Sequence, residues 1–246
     1  MSQENIIIIP VRMASQRLPN KPLADILGQS MIQRVYNQAL KANVGKVLIA
    51  CDGEELANEA RRINADYVIT DPNLPSGTDR IYHALKQRNL KFKTVTNLQG
   101  DLPNIDPKLI KTAVELADNS NCDIATLASI IKDQQQITNP NVVKIALTSS
   151  NQALYFSRSA IPYSKNFEQT YYHHIGIYVY QFLALEKFVN LPYSTLEKRE
   201  SLEQLRALEN NLKISVAIVD SNPLSVDTKE DLALVIDQIK NQINHD

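Results

Sequence analysis

The stretch NIIIIPVRMASQRLPNKPL, residues 5–23, begins with four consecutive isoleucines and continues into a segment with three permanent positive charges and no glycine. Such an apolar run predicts a strand that is buried on both faces, as in a parallel sheet. Residues 30–42 follow with apolar side chains on one helical face, and residues 46–52 form the next apolar run. This strand–helix–strand order continues to about residue 117 and predicts an α/β fold with helices on both faces of the sheet.

The pattern changes at about residue 122, where strand-like segments follow one another with little helix between them. Residues 122–190 are therefore predicted to form an antiparallel or mixed extension of the sheet. No linker rich in Pro, Gly or Ser separates the two regions. We therefore expect residues 1–246 to form one domain.

The last part of the chain is predicted to contain a helix over 194–210, a strand over 213–219 and a helix over 229–243. Ser194 and Glu197 have the spacing of a capping box at the start of the first of these helices.

The composition excludes several kinds of partner. The 246 residues include 26 basic and 27 acidic side chains, with a formal net charge of -1. No overall electrostatic field would therefore recruit nucleic acid or an anionic membrane. No apolar run approaches the roughly 18 to 20 residues of a membrane span, and the N-terminus lacks the basic start of a signal peptide. We expect a cytoplasmic protein whose two cysteines, Cys51 and Cys122, are reduced thiols.

The basic loop, residues 10–23, carries Arg12, Arg17 and Lys21 directly after the first predicted strand. Ligands of open α/β sheets bind beyond the carboxyl ends of the strands, which is where this loop lies. Three prolines limit its freedom, and its cations could surround a polyphosphate with charge-assisted hydrogen bonds. The loop has neither a P-loop nor a GxGxxG pattern. A solvated basic loop is an equally good interpretation of the residues alone.

Two aspartates could bind a magnesium ion. Asp101 follows a predicted buried strand in LQGDLP, although an aspartate before a proline is also ordinary turn chemistry. Asp227 or Thr228 would cap the final helix, and Glu230 would complete a capping box from Asp227. Taken singly, each aspartate fits its structural role better. The metal interpretation requires that Asp101 and Asp227 meet in space, where two carboxylates can hold magnesium on a triphosphate.

Other polar segments also have two interpretations. The segment SGTDR, residues 76–80, could present backbone N–H groups to a base or an anion, or simply start a helix. Glu200, Glu203 and Gln204 share a helical face that is solvated by default. His174 in a predicted strand more often packs than catalyses. Arg158 and Lys144 are surface residues by default.

Eight segments in this order resemble those of the CMP-Kdo synthetases, the 3-deoxy-manno-octulosonate (Kdo) cytidylyltransferases. They are IIPVRMASQRLPNKPL, SGTDR, LQGDLP, NPNVVK, ALYFSRSAIPY, HHIGIYVY, LEKRESLEQLR and VDTKEDL. The resemblance implies a single-domain, Rossmann-like fold of the nucleotide-diphospho-sugar transferase type, usually dimeric through its antiparallel extension. It implies transfer of CMP from CTP to Kdo for lipopolysaccharide synthesis, with Mg²⁺ as cofactor and CMP-Kdo and pyrophosphate as products.

The resemblance also implies roles for individual residues. The CTP contacts would come from Arg12, Ser15, Arg17, Lys21, Ser76, Gly77, Thr78 and Asp79. The metal ligands would be Asp101 and Asp227, which with Arg12 and Lys21 form the catalytic set. The contacts to the sugar acid would come from Gln99, Arg158, His174, Glu203 and Gln204, with Arg158 or His174 as counter-cation to its carboxylate.

The sequence departs from the family pattern at three positions. Leu102 replaces a glutamate after the magnesium aspartate, Asn20 replaces a glycine, and Lys229 replaces a proline. The first change leaves open an alternative function, a cytidylyltransferase for a modified Kdo or another nonulosonic acid. The remaining alternative is a nucleotide-binding relative with weakened catalysis.

Overall fold

The structure is a computed structural model and describes residues 3–15, 17–165 and 169–243. Its strands are β1 (Gln3–Val11), β2 (Asp25–Ile26), β3 (Gln29–Ser30), β4 (Lys46–Cys51), β5 (Tyr67–Ile69), β6 (Phe92–Leu98), β7 (Ile124–Ile130), β8 (Lys144–Leu147), β9 (Ala153–Ser157), β10 (Tyr172–Gln181) and β11 (Ile214–Val219). Its helices are α1 (Met31–Ala42), α2 (Glu54–Arg62), α3 (Gly77–Gln87), α4 (Pro107–Asn119), α5 (Gln134–Thr138), α6 (Phe182–Val189), α7 (Thr195–Glu200), α8 (Gln204–Glu209) and α9 (Lys229–Ile243), with a 3-10 turn at Lys21–Leu23.

The chain divides into two compact units, residues 1–111 with 223–246, and residues 112–222. The first unit contains four parallel strands in the order β6-β1-β4-β5. Ile8 of β1 pairs with Leu48 of β4 on one side and with Asn97 of β6 on the other. The isoleucine run at the centre of β1 is at most 1% exposed, which confirms the predicted buried strand.

The helices of the first unit bury the faces that the sequence predicts. Ser30 caps α1 by accepting a hydrogen bond from the Gln33 N–H, and Met31, Ile32, Val35 and Ala39 of α1 are buried. Val235 and Ile239 of α9 pack in one apolar cluster with Leu18, Ile26, Met31 and Val226. This cluster fixes the start of α9 beside the basic loop.

The carboxyl ends of β1, β4 and β6 lie at one edge of the parallel strands, because all three run in the same direction. The basic loop leaves β1 at this edge, Asp52 follows β4, and Gln99 to Asp101 follow β6. The segments that the sequence associates with ligand binding in this unit therefore start from neighbouring strand ends, as expected for an α/β fold.

The second unit contains the predicted strand-rich extension. β7 pairs parallel with β11 and antiparallel with β10, and β8 pairs antiparallel with both β10 and β9. The α/β class with an antiparallel extension is confirmed, whereas a single domain over 1–246 stays a prediction. The predicted helix over 194–210 is wrong in one respect: Ser201, at φ 54°, interrupts it and separates α7 from α8.

Cys51 and Cys122 are both buried, and neither forms a disulfide. Burial raises the pKa of the Cys51 thiol to about 11, and Cys51 Sγ donates to the Val68 carbonyl at 3.4 Å. Among the described residues, no helix has the length and apolar character needed to cross a membrane.

Candidate functional site

Lys21 connects three separate segments of the first unit. Its ammonium lies 3.0 Å from Asp101 Oδ2, 3.0 Å from Asp227 Oδ1 and 2.9 Å from the Val226 carbonyl oxygen. The side chain is 18% exposed, so the contacts form in a partly desolvated position. The structure thus brings together the lysine and the two aspartates that the sequence could only place at separate points.

The charge on Lys21 is stabilised where it lies. Burial alone would lower the pKa of the ammonium, but attraction and hydrogen bonds from Asp101 and Asp227 outweigh this effect and raise it above the ordinary value. Lys21 therefore remains a cation at neutral pH. The local backbone supports its position, since Asn20 adopts a left-handed conformation at φ 55° and starts the 3-10 turn. Asparagine tolerates this conformation in place of the family's glycine.

Asp101 follows a glycine that packs tightly against the end of β1. A Cβ atom on Gly100 would lie 2.6 Å from Val11 Cγ1, so a larger residue at position 100 would force the Val11 side chain to shift. The Asp101 carbonyl oxygen accepts a hydrogen bond from the Val226 N–H at 2.9 Å. These contacts tie the end of β6 to β1 on one side and to the start of α9 on the other.

The capping pattern of α9 corrects the sequence prediction. Asp231 Oδ2 accepts from the N–H groups of Asp227 and Thr228, and the Asp231 N–H donates to Thr228 Oγ1 at 3.2 Å. The predicted box from Asp227 to Glu230 is therefore wrong, because the box is Thr228 with Asp231. Burial would raise the pKa of Asp231, but the hydrogen bonds from Asp227 and Thr228 outweigh it and lower that pKa.

Asp227 therefore has no capping duty and its carboxylate faces the cations. In addition to Lys21, Arg17 Nη2 lies 3.0 Å from Asp227 Oδ2, in a pair whose side chains are 63% and 39% exposed. Arg12 is exposed and Ser15 is partly buried, whereas Gln16 lies outside the described residues. The contacts of Arg12 and Ser15 to CTP stay predictions.

The segment SGTDR starts α3, as its structural interpretation predicts. Ser76 caps the helix by accepting from the Asp79 N–H at 3.2 Å, and its hydroxyl donates to Asp79 Oδ2 at 2.7 Å. Thr78 is 1% exposed and accepts from the Asn97 side-chain amide. A Cβ on Gly77 would lie 3.2 Å from Pro10 Cγ. Gly77 thus lets the start of α3 approach Pro10 of the basic loop, and Thr78 contacts the end of β6. The contact of these four residues with CTP stays a prediction.

At this edge the sequence analysis missed Asp52 and gave no individual role to Arg80 of the SGTDR segment. Asp52 Oδ2 accepts from the Met13 N–H at 3.0 Å and so anchors the basic loop to the end of β4. Arg80 is 2% exposed and donates to Thr70 Oγ1 and to the Asp71 carbonyl oxygen. Burial lowers the pKa of Arg80, and the nearby positive charge of Arg12 adds to this effect. The position of Asp52 after a buried strand, the same signal that identified Asp101, could have indicated it.

Among the residues with a predicted sugar contact, Gln99 belongs to the first unit. Its side-chain amide donates to Asn97 Oδ1 at 3.0 Å. The other four, Arg158, His174, Glu203 and Gln204, belong to the second unit.

Arg158 holds the interruption between α7 and α8. Its Nε donates to the Glu200 carbonyl oxygen at 2.9 Å, Nη1 donates to the Pro140 carbonyl oxygen at 2.9 Å, and its backbone N–H donates to Glu200 Oε2. Lys144, predicted as a surface residue, is fully buried and donates to the carbonyl oxygens of Asn139, Val142 and Arg158. These bonds organise the backbone around Arg158 while its guanidinium stays partly accessible.

His174 is buried and uncharged at neutral pH. It is 7% exposed, its Nε2 lies 3.1 Å from Thr126 Oγ1, and its ring packs edge-on against Phe156. Burial lowers its pKa to about 3. His174 therefore does not supply the predicted counter-cation for a carboxylate, and Arg158 is the remaining candidate.

Glu203 and Gln204 lie at the start of α8, which a buried ion pair supports. Arg206 is 2% exposed, and its Nε and Nη2 bind the two carboxylate oxygens of Glu197 at 2.9 and 2.6 Å. The guanidinium also lies 4.6 Å from the ring centroids of both Phe188 and Tyr193. Glu197 completes the capping box with Ser194, which confirms that prediction.

The aspartate pair, Asp101 and Asp227, has the oxygen donors that a magnesium ion requires. No group of three or more His, Cys, Asp and Glu side chains within the described ranges has a metal-binding arrangement. The pair nevertheless offers carboxylate oxygens on both sides of a bound cation, the Lys21 ammonium. Mg²⁺ is held in many phosphate-transferring sites by one or two carboxylates together with substrate phosphates and water. The two aspartates fit such an ion.

Comparisons with known proteins identify the family of the chain. A family model described as cytidylyltransferase matches residues 6–214. The 3-deoxy-manno-octulosonate cytidylyltransferase of Bartonella tribocorum is 48% identical, over 96% of this chain and 98% of the relative. That of Parvibaculum lavamentivorans is 47% identical, over 92% of this chain and 89% of the relative. A solved CMP:2-keto-3-deoxy-manno-octonic acid synthetase, complexed with CTP, is 35% identical with a TM-score of 0.92, over 97% of this chain and 99% of that one.

Proposed function

Since the chain belongs to the 3-deoxy-manno-octulosonate cytidylyltransferase family, we propose that it transfers CMP from CTP to Kdo and releases CMP-Kdo and pyrophosphate. It is a nucleotidyltransferase. The observation that carries the proposal for the site is the meeting of Lys21 with Asp101 and Asp227 at 3.0 Å each, beside the carboxyl ends of the parallel strands.

The basic loop is proposed to bind the triphosphate of CTP. Arg12 and Arg17 can each bridge two phosphate oxygens, and Lys21 supplies a compact charge. Ser15 and the segment Ser76 to Asp79 are proposed to contact the nucleotide as well. Because the loop relies on side chains, it does not need the glycines of a P-loop.

The reaction is an in-line displacement at phosphorus. The anomeric hydroxyl oxygen of Kdo bonds to the α-phosphorus as the bond from that phosphorus to the bridging oxygen of pyrophosphate breaks. Pyrophosphate leaves with the electron pair, and the hydroxyl proton passes to water. Arg12, Arg17 and Lys21 orient the phosphates and neutralise the charge that builds on the leaving group, so positioning and electrostatics supply most of the catalysis.

We propose Mg²⁺ as the cofactor, with Asp101 and Asp227 as its protein ligands. Bound there, the ion would neutralise charge on the transferring phosphoryl group. The support is the carboxylate pair itself and the freedom of Asp227 from the helix cap.

The sugar acid is proposed to contact Gln99, Arg158, His174, Glu203 and Gln204. Arg158 carries the positive charge that a carboxylate needs, and His174 is proposed to contribute only as a neutral group. We also propose a homodimer formed through the second unit. Leu154 and Leu183, 59% and 75% exposed, are large apolar side chains of that unit that a partner subunit would cover.

We place the reaction in the cytoplasm and in lipopolysaccharide biosynthesis, the role implied by the family. The product is an activated sugar acid, so the next reaction must be a glycosyl transfer that releases CMP.

The exchange of the family's glutamate for Leu102 is a packing change in this chain. Leu102 is 5% exposed, and its carbonyl oxygen accepts from the Ile105 N–H in a turn. A buried leucine places no charge beside the aspartate pair and offers no polar side-chain contact to a substrate. The position therefore gives no support to a modified sugar acid as substrate.

The decisive assay is pyrophosphate release from CTP and Mg²⁺, with Kdo, with a sialic acid or with no acceptor. We expect release with Kdo only. Release that requires a different sugar acid would replace the proposed acceptor. CTP binding without release on any acceptor would show that the chain has lost catalysis.

A further inference from the structure

The ammonium of Lys21 has no hydrogen atom left for a phosphate. A lysine ammonium has three N–H donors. In this structure the three acceptors are Asp101 Oδ2, Asp227 Oδ1 and the Val226 carbonyl oxygen. To contact a triphosphate, Lys21 must release at least one of these acceptors.

The two aspartates in turn need a cation between them. Both carboxylates lie 3.0 Å from the same nitrogen, so their bound oxygens are within twice that distance of each other. Two carboxylates this close repel each other unless a cation lies between them. Arg17 adds a second positive charge at 3.0 Å from the other oxygen of Asp227. Two cations of the basic loop thus balance two aspartates in the nucleotide-free chain.

We propose that Lys21, with Arg17, is an internal cation that occupies the aspartate pair until a triphosphate binds, so that the metal and the nucleotide bind cooperatively. The exchange conserves charge. The phosphates take the two loop cations, and a divalent ion takes their place on the two carboxylates. Neither ligand alone completes the exchange, because the metal alone must displace a bound ammonium and the nucleotide alone leaves two carboxylates unpaired beside its phosphates.

The alternative is that Lys21 is a permanent structural connection between the three segments. Its partial burial and the Val226 contact are compatible with that role. The two roles differ in one measurable quantity, the affinity of the nucleotide-free protein for a divalent metal. An internal competitor lowers that affinity, whereas a permanent connection does not oppose the metal.

The inference rests on the proposed metal site. Measurements with the paramagnetic ion Mn²⁺ distinguish a failure of the inference from a failure of the proposed metal site. Free Mn²⁺ measured by electron paramagnetic resonance gives its dissociation constant for the wild type, Lys21→Met and Arg17→Met without nucleotide. We expect Lys21→Met to bind Mn²⁺ about tenfold more tightly than the wild type, within the usual range of coupling between sites. Arg17→Met should show a smaller gain, because Arg17 binds one oxygen of Asp227 and its side chain is 63% exposed. Lys41→Met removes an exposed positive charge from α1 and is the matched control.

Two further measurements make every outcome informative. Asp227→Asn added to Lys21→Met should abolish the gain. For the wild type, the affinity for CTP without acceptor should rise about tenfold when Mn²⁺ is added, after correction for Mn²⁺–CTP formation in solution. If Lys21→Met does not fold, this ratio of CTP affinities with and without Mn²⁺ tests the proposed cooperativity.

Equal Mn²⁺ affinity in the wild type and Lys21→Met, with no coupling to CTP, would overturn the internal-cation role and leave the metal site in place. Identical resonance spectra of protein-bound Mn²⁺–CTP in the wild type and Asp227→Asn would instead overturn the proposed metal ligand, and the inference with it.

Discussion

At the scale of single residues, Asp227 and Thr228 are adjacent in sequence but have different structural roles. Thr228 shares the capping box of α9 with Asp231, whereas the Asp227 carboxylate binds Arg17 and Lys21. We expect Asp227→Asn to abolish metal-dependent turnover with little change in the melting temperature. Thr228→Ala should lower the stability of the protein by about 1 kcal/mol, the usual cost of losing a cap. Calorimetry and the pyrophosphate assay on both variants check this.

The opposite combination of rate and melting temperature would show that these two roles are assigned to the wrong residues. If Asp227→Asn keeps its rate but melts several degrees lower, Asp227 stabilises the helix and does not bind metal. The sequence could not distinguish the two residues, since aspartate and threonine are both good caps and stand side by side. Only the direction of each side chain, fixed by the packing of Val226, Val235 and Ile239, decides between them.

At the scale of elements, the Arg206–Glu197 pair stabilises the connection from α7 to α8. Their side chains are 3% and 7% exposed. Arg206→Met would leave the Glu197 carboxylate buried without its partner, and such a loss costs about 3–5 kcal/mol. Urea unfolding should show this as a lower midpoint. Arg61→Met, which removes an exposed pair with Glu54, should leave the midpoint unchanged, and an equal midpoint in both variants would contradict the prediction.

The elements also show which parts of the fold the sequence could predict. Local patterns were sufficient for the β1 isoleucines and the buried face of α1, because each depends on spacing within one element. The interruption at Ser201 was not predictable from spacing, since the helical pattern continues through it. It depends on distant groups, because Arg158 donates to the carbonyl oxygens of Glu200 and Ser201. The contact of Lys21 with Asp101 and Asp227 likewise required the tertiary fold or a resemblance.

At the scale of the molecule, His174 makes stability depend on pH. Its pKa is about 3 in the folded protein, below the ordinary 6.5, because burial opposes the charge. Below pH 6.5 the unfolded chain binds a proton that the folded protein does not bind, so stability falls with pH from that point towards pH 3. The slope for one such group is about 1.4 kcal/mol per pH unit.

Chemical unfolding between pH 8 and 5 measures this slope, with His174→Gln as the comparison. The variant should lose less stability over that interval than the wild type. Parallel curves would mean that His174 is not the group responsible. His173, whose pKa burial lowers to about 4, would then be the next candidate.

The two buried cysteines have a practical consequence for spectroscopy. Maleimides and other thiol reagents attack the thiolate, and burial keeps both native sulfurs away from them. A cysteine introduced at an exposed turn position such as Ser149 would react well before Cys51 or Cys122. The chain can therefore carry a single fluorescent or spin label without removal of a native residue.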